Sequence, residues 1–329
     1  MNPAITFGLL TALLYGISDF IAKFSSRAVG VWRTLFWGEL CSVSLLTLWI
    51  VVIGGDPNRA FSMPGSVWAV AVLSNLMILA ATALFYRALS VGSFSVVASV
   101  VATYGAVAAL LSACLGEPLG VVAFAGIAVA VLGAATASVP APTSAGSADH
   151  PAARVTGKGA GLASISALLY GIGFCIQIQA HYVVPSFGHL IPVWLYYCLG
   201  VGLLGSAGLA LRKDLAPPLP SQVPVVLGTG LAASGAFVAL TLAFTGGDVA
   251  IPTVLASLAS VVTVVLARVL VKEQVALHQW AGIAAVILGL VMLNSSAPRG
   301  RTANLAATGP VASPGQVRGL HDGTAPVPG

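Results

Sequence analysis

Only a few ionisable side chains interrupt the long apolar stretches of this sequence, and they are the first candidates for chemistry. Asp19 and Lys23 are four residues apart, a spacing that places both on one face of a helix. Glu39 lies about five residues into the next apolar stretch, roughly 8 Å along a helix axis and beyond Arg33. A charged group in the core of a bilayer costs roughly 3 kcal/mol, so each of these residues requires a partner or a function.

Two interpretations of these charges are open. Asp19 and Lys23 fit either an interfacial ion pair or a site for substrate or protons, and Glu39 fits either snorkelling or a water-filled cavity. Because a short loop joins the two stretches, all four charges, including Arg33, lie toward one membrane face. A mouth of mixed charge suits a zwitterion such as an amino acid. We predict that Asp19 or Glu39 binds a substrate amine or takes part in coupling, with Lys23 and Arg33 beside them.

Polar side chains deeper in the apolar stretches form a second set of candidates. Tyr15 and Tyr170 stand at the same position of a repeated hexapeptide, ALLYGI, at residues 12–17 and 167–172. A buried tyrosine needs a hydrogen-bond partner, so core packing competes here with substrate contact. We predict that Tyr15, Tyr170 and Gln177 contribute to the substrate site.

The elements that position these residues follow from composition. The chain has 329 residues, 58% of them hydrophobic and 7% charged, whereas soluble domains carry roughly 25% charged residues. Its mean hydropathy is +0.99. Blocks of about 20 apolar residues are long enough to cross a bilayer as helices. Ten such blocks lie near residues 4–22, 34–53, 66–86, 93–115, 119–139, 159–180, 190–211, 223–245, 249–271 and 275–295. The predicted fold is an all-α integral membrane protein with ten transmembrane helices.

The blocks divide five and five around a polar segment rich in Pro, Ala, Ser and Gly at residues 140–158, which is typical of a linker. The predicted domains are therefore a first five-helix repeat at 3–139 and a second at 159–296. Residues 297–329 are of low complexity and are predicted to be a disordered tail. Five crossings per repeat start the second copy on the opposite side of the membrane. The repeats are thus predicted to be inverted, as in many secondary transporters.

A second match between the repeats carries two glutamates. LGEPLGVVAFAGIAVAVLG, from residue 115, aligns with VKEQVALHQWAGIAAVILG, from residue 271, and places Glu117 on Glu273. Both glutamates lie between blocks and Pro118 follows the first, so a structural role at a helix start is predicted for all three residues. Asn75 and Tyr104 fit interhelical hydrogen bonds better than substrate contacts.

Several classes of function are not supported by the sequence. The net charge is +5, but the basic residues are scattered singly without interleaved aromatics, so no nucleic-acid partner is predicted. GVGLLG at 200–205 fits G-x-G-x-x-G without the strand and acidic residue of a dinucleotide site, and the phosphate-binding G-x-x-x-x-G-K-[ST] motif is absent from the sequence. The four cysteines and five histidines show no metal-ligand spacing. We predict no metal, no cofactor and no enzymatic activity.

The motifs and their order resemble a known family. Tyr15, Gly16 and Ile17 open the first span, Lys23 closes it, and Gly116-Glu117 follows the fourth. This arrangement resembles the EamA-type branch of the drug/metabolite transporter superfamily over residues 3–296. The resemblance implies a secondary transporter, often an exporter, of a small polar metabolite such as an amino acid, working by alternating access. Related small multidrug-resistance proteins have a membrane glutamate where Tyr15 stands, so their proton-coupled drug antiport is not implied.

Orientation and partners complete the expectations. Most Lys and Arg residues fall on the face opposite the termini, which would place the termini outside; the resemblance implies cytoplasmic termini, and we follow it. The predicted partners are the lipid bilayer, a small-molecule substrate and a coupling proton, in a multi-pass protein of the cell membrane. The sequence leaves monomer and homodimer open. A passive channel or an integral-membrane enzyme remains an alternative.

Overall fold

The computed structural model describes residues 3–54, 62–114, 120–138, 151–179, 187–244, 255–256, 258–272 and 276–295. These residues contain no β-strand and form eleven α-helices. The helices are α1 (Pro3–Ala28), α2 (Val31–Trp49), α3 (Gly65–Val91), α4 (Phe94–Val101), α5 (Tyr104–Cys114), α6 (Val121–Ser138), α7 (Pro151–Gln179), α8 (Ile191–Ala210), α9 (Val223–Phe244), α10 (Ala259–Leu266) and α11 (Leu277–Ser295). Single π-helical turns extend α2 over Ile50–Gly54 and α10 over Ala267–Val271.

Six helical segments are long and apolar enough to cross a membrane, judged by length and composition. They are Thr6–Ala28, Val31–Val52, Gly65–Val91, Lys158–Cys175, Ile191–Ala210 and Val223–Ala243. Large apolar side chains are exposed along them, among them Leu13, Leu48 and Leu209. Such surfaces suit hydrocarbon, and helices satisfy their own backbone hydrogen bonds there. The predicted all-helical membrane fold is confirmed, while the count of ten spans stays a prediction.

Boundaries around the middle of the chain differ from the expectation. α7 begins at Pro151, inside the segment that the sequence analysis assigned to a linker. Residues 139–150 lie outside the described part of the chain, as do the predicted tail and the residues Glu117, Pro118 and Glu273.

The predicted fourth span is broken into α4 and α5. The break lies at Ala102 and Thr103, where the Thr103 N–H bonds to the Val100 carbonyl at 3.2 Å, a tight three-residue turn. A similar turn precedes α10, where the Leu258 N–H bonds to the Leu255 carbonyl at 3.0 Å. Ala102 and Leu258 are 156 residues apart, the offset that also relates Glu117 to Glu273. A tight turn thus occurs at corresponding places of the two halves.

Glycines let the first helix of each half approach the other half closely. A methyl group added at Gly16 of α1 would lie 2.9 Å from the Ala259 carbonyl oxygen of α10. A methyl group at Gly171 of α7 would lie 3.0 Å from the Tyr104 carbonyl oxygen of α5. Gly16 and Gly171 are 155 residues apart, as are Tyr104 and Ala259. The contact is therefore made twice, with the roles of the halves exchanged.

The same exchange occurs between α6 and α11. A methyl group at Gly133 of α6 would lie 2.7 Å from the Gly282 carbonyl oxygen of α11, and one at Gly289 of α11 would meet the Gly126 carbonyl oxygen of α6. α1 packs on α9 as α7 packs on α3. The two halves are thus held together by reciprocal contacts, and the space between them contains the candidate site.

Candidate substrate-binding cavity

A cavity of about 90 Å³ lies between the halves, with residues of both halves in its wall. It has room for several water molecules or a small solute. Six of the seven tyrosines in the chain line it, together with three phenylalanines: Tyr15, Tyr86, Tyr104, Tyr170, Tyr196, Tyr197, Phe85, Phe174 and Phe237. A wall this rich in aromatic faces and hydroxyl groups combines apolar packing with a few directed polar contacts, as small-molecule sites do.

Asp19 is the charged member of this wall among the described residues. It lies one turn beyond Tyr15 on α1, so both side chains face the cavity. Phe174 stands 155 residues later, at the equivalent position of α7, and lines the cavity as well. The repeat therefore supplies a carboxyl group from the first half and an aromatic ring from the second.

The ion pair between Asp19 and Lys23, one of the two interpretations left open, is not formed. Both residues lie in the described part of the chain, and the Lys23 ammonium sits 3.9 Å from the centroid of the Phe94 ring. Phe94 begins α4 and supplies the electron-rich ring face that attracts a cation. Lys23 is 6% exposed and is not part of the cavity wall.

Glu39, for which snorkelling and a water-filled cavity were both open, lies outside the wall of this cavity. Its side chain on α2 is 5% exposed, beside Tyr196 and Tyr197 of α8. A methyl group at Gly200 of α8 would lie 2.9 Å from Glu39 Oε2, so this glycine provides the space that the carboxyl group occupies. Glu39 Oε2 has no hydrogen-bond partner among the described residues.

A threonine connects two of the cavity tyrosines. Thr82 Oγ1 of α3 lies 2.9 Å from the Tyr170 hydroxyl and 3.1 Å from the Tyr196 hydroxyl. Thr82 also donates to the Ile78 carbonyl oxygen at 2.9 Å. The Tyr196 hydroxyl donates to Thr82, and in the pair of Thr82 and Tyr170 either hydroxyl can be the donor. Glu39 lies beside the Tyr196 hydroxyl, at the far end of this chain of hydroxyl groups.

Aromatic contacts fix the other walls. The rings of Tyr170 and Phe174 are stacked with centroids 5.7 Å apart, and Tyr104 packs on Phe174 at 5.5 Å. Tyr196 meets Phe237 edge to face at 5.5 Å. Aromatic contacts of this kind restrict the orientations that the rings can adopt.

Arg33 has a structural role away from the cavity. Its guanidinium donates to the carbonyl oxygens of Ala216 at 2.9 Å and Pro217 at 2.7 Å, and lies 3.4 Å from Asp214 Oδ2. These partners belong to the connection between α8 and α9, which Arg33 ties to the start of α2. Of the four residues predicted to form a charged mouth, Asp19 alone lines this cavity, and the mouth itself stays a prediction.

The structure places Tyr15, Tyr170 and Asp19 in the wall of one cavity, whereas the sequence analysis assigned the tyrosines and the charge to two separate sets of candidates. The side chain of Gln177 lies outside the described residues, so its role stays a prediction. Sequence reasoning missed Thr82, Tyr86, Tyr196 and Tyr197, although a pair of tyrosines within an apolar block was a usable signal. In the described part of the chain no group of three or more His, Cys, Asp or Glu side chains is placed to hold a metal ion.

An all-helical membrane fold with a mainly apolar cavity, carrying one carboxyl group, between two repeated halves is an arrangement found in membrane transporters. The chain belongs to the EamA-like transporter family, whose profile matches residues 2–139 and 157–295, and so to the drug/metabolite transporter superfamily. One crystal structure of a protein shares this fold with a TM-score of 0.62 and 17% sequence identity, over 88% of this chain and 95% of that one. No curated protein matches the sequence.

Proposed function

We propose that this protein is a secondary transporter that carries a small polar metabolite through the cavity, with the substrate amine bound at Asp19. The observation that carries the proposal is the carboxyl group of Asp19 in an aromatic cavity between two halves. A buried ionisable group in a membrane is costly unless it serves binding or coupling. Tyr15 and Tyr170 contact the substrate from equivalent positions of the two halves.

The proposed mechanism is alternating access between inverted five-helix repeats, in a protein of ten transmembrane helices. Four shorter apolar helices accompany the six long ones and bring the number to ten. The reciprocal contacts of Gly16 and Gly171 support a two-fold relation between the halves. Rocking one half against the other would open the cavity first to one side and then to the other.

We further propose that Glu39 takes part in coupling, with a proton as the coupling ion. Its carboxyl group is buried, with Oε2 unpartnered among the described residues, and it hydrogen-bonds Tyr196, whose hydroxyl continues through Thr82 to Tyr170 in the wall. This arrangement connects Glu39 to substrate occupancy. Export across the cell membrane, with cytoplasmic termini, follows the family resemblance, and a monomer or a homodimer is compatible with a cavity formed within one chain.

The test is a metabolite profile, inside and outside cells, for wild type, Asp19→Asn and the matched control Asp214→Asn, all inserted at equal levels. Asp214 is a carboxylate of the exposed connection after α8 and is 66% exposed. A metabolite that leaves cells with wild type and the control, but not with Asp19→Asn, supports the proposal. Loss of transport in both variants, or in neither, contradicts the role of Asp19. In proteoliposomes, stimulation of flux by substrate on the opposite side separates a transporter from a channel.

A further inference from the structure

Among the described residues of the cavity wall, the charged side chain is acidic and none is basic. Asp19 contributes a carboxyl group, and the equivalent position of the second half holds Phe174. Lys23 is directed at the Phe94 ring and Arg33 at the connection after α8. Within the described wall, therefore, no cationic side chain is placed to receive the carboxylate of a bound amino acid.

The hydroxyl groups of the wall strengthen this asymmetry. The hydroxyl groups of Tyr170 and Tyr196 are both engaged within the wall, Tyr170 with Thr82 and Tyr196 with Thr82 and the Glu39 carboxyl group. Their oxygens carry lone pairs that accept hydrogen bonds from an ammonium group. A charged donor forms stronger hydrogen bonds to such oxygens than a neutral one does.

Aromatic faces favour the same sign of charge. Tyr104, Tyr170 and Phe174 form a packed cluster in the wall, with centroids between 5.5 and 5.9 Å apart. The negative face of an aromatic ring attracts an ammonium group, and the attraction grows when water is excluded. A carboxylate placed in the same space would be desolvated without a partner and would lie near Asp19, and both effects oppose its binding.

We infer that the cavity selects an organic monocation, an amine without a carboxylate, over the zwitterionic amino acid that the sequence suggested. This inference rests on the proposed function and specifies its substrate class. The carboxyl group of Asp19 pairs with the ammonium group, the tyrosine oxygens accept its N–H groups, and the apolar part of the amine packs on Phe174 and Phe237.

Three probes that share a phenylethyl group test the inference: phenethylamine, phenylalanine and 3-phenylpropionate, which are a cation, a zwitterion and an anion near neutral pH. Binding to the purified full-length protein in detergent is measured by titration calorimetry. We expect phenethylamine to bind at least about tenfold more tightly than phenylalanine, and 3-phenylpropionate to bind most weakly. Asp19→Asn should reduce phenethylamine affinity by at least about tenfold, whereas Asp214→Asn should leave it unchanged.

Phenylalanine binding as tightly as phenethylamine would overturn the inference, and this comparison needs the wild type only, so it holds even where Asp19→Asn does not fold. Preferred binding of 3-phenylpropionate would overturn it as well. Absence of binding by all three probes at about 10 mM, a concentration at which even weak millimolar ligands register, would also reject the cation site. If the same protein, reconstituted into proteoliposomes, still transports cell metabolites, the proposed function survives that failure; if it does not, both are wrong.

Discussion

Replacing Gly200 by alanine tests the position of Glu39 directly, because the same helix offers a matched control two residues away. The added methyl group would lie 2.9 Å from Glu39 Oε2, 3.0 Å from its Cδ and 3.2 Å from its Cγ. A methyl group at Gly202 meets nothing within 4 Å. Both substitutions gain about 0.8–1 kcal/mol of helix propensity, so the difference between them isolates the contact with Glu39.

The size of that difference follows from the geometry. Ordinary contacts of a methyl carbon begin near 3.4 Å, so the carboxyl group has to move by several tenths of an ångström. Glu39 is only 5% exposed, which leaves it little space to move into. Overpacking of this kind costs about 1–3 kcal/mol. We expect the Tm of Gly200→Ala in detergent to lie at least about 2 °C below that of Gly202→Ala.

The assay is thermal unfolding followed by tryptophan fluorescence, on protein that elutes as a single species. A double-mutant cycle completes it: in a Glu39→Ala background the difference between the two alanine variants should vanish. Equal Tm values in the wild-type background would refute the placement of Glu39 against Gly200. A difference that persists without the Glu39 side chain would show that another contact causes it.

Three further outcomes are expected. Thr82→Val should weaken binding of the amine probe and lower stability by about 1–3 kcal/mol, because two tyrosine hydroxyls lose a hydrogen-bond partner, while Thr82→Ser should preserve both properties in calorimetry and unfolding. Gly230→Ala places a methyl group 2.6 Å from the Gly38 carbonyl oxygen, whereas Gly228→Ala meets only a side-chain carbon at 3.8 Å, so the first should unfold at a clearly lower temperature than the second. Partial burial lowers the pKa of the His189 imidazole, so protonation of this group disfavours the folded state. Stability is therefore lost as the pH falls below the ordinary histidine pKa. His189→Gln should reduce the loss of Tm between about pH 7.5 and about pH 5.5.

Much of the fold could be predicted because membrane helices are encoded locally. A block of apolar residues becomes a helix in hydrocarbon whatever its neighbours are, since its backbone has no other partner. The break between α4 and α5 was not predictable in this way, because residues 102 and 103 are Ala and Thr, with neither Pro nor Gly to mark a turn. The two helices that flank the break both pack against α7 of the other half.

The candidate site was likewise predictable only in part. Asp19, Tyr15 and Tyr170 were predictable because a rare charge in an apolar block and a repeated tyrosine are visible in the letters alone. The contacts of the Lys23 and Arg33 side chains were not predictable. Spacing along a helix tells on which face a residue lies, but not which residue of another helix or loop it contacts. Lys23 meets a ring of α4 and Arg33 meets carbonyl groups nearly 200 residues away.

Composition, hydropathy and repeats determined the membrane fold, the two halves and the presence of one costly carboxyl group near the start of the chain, because these properties depend on each residue and its near neighbours. The tertiary structure decided which side chains share one cavity, that Glu39 lies behind its tyrosines, and that the basic residues face elsewhere. Such outcomes depend on distances between residues far apart in the chain. Helix packing sets those distances, with glycines such as Gly16, Gly171 and Gly200 providing the space.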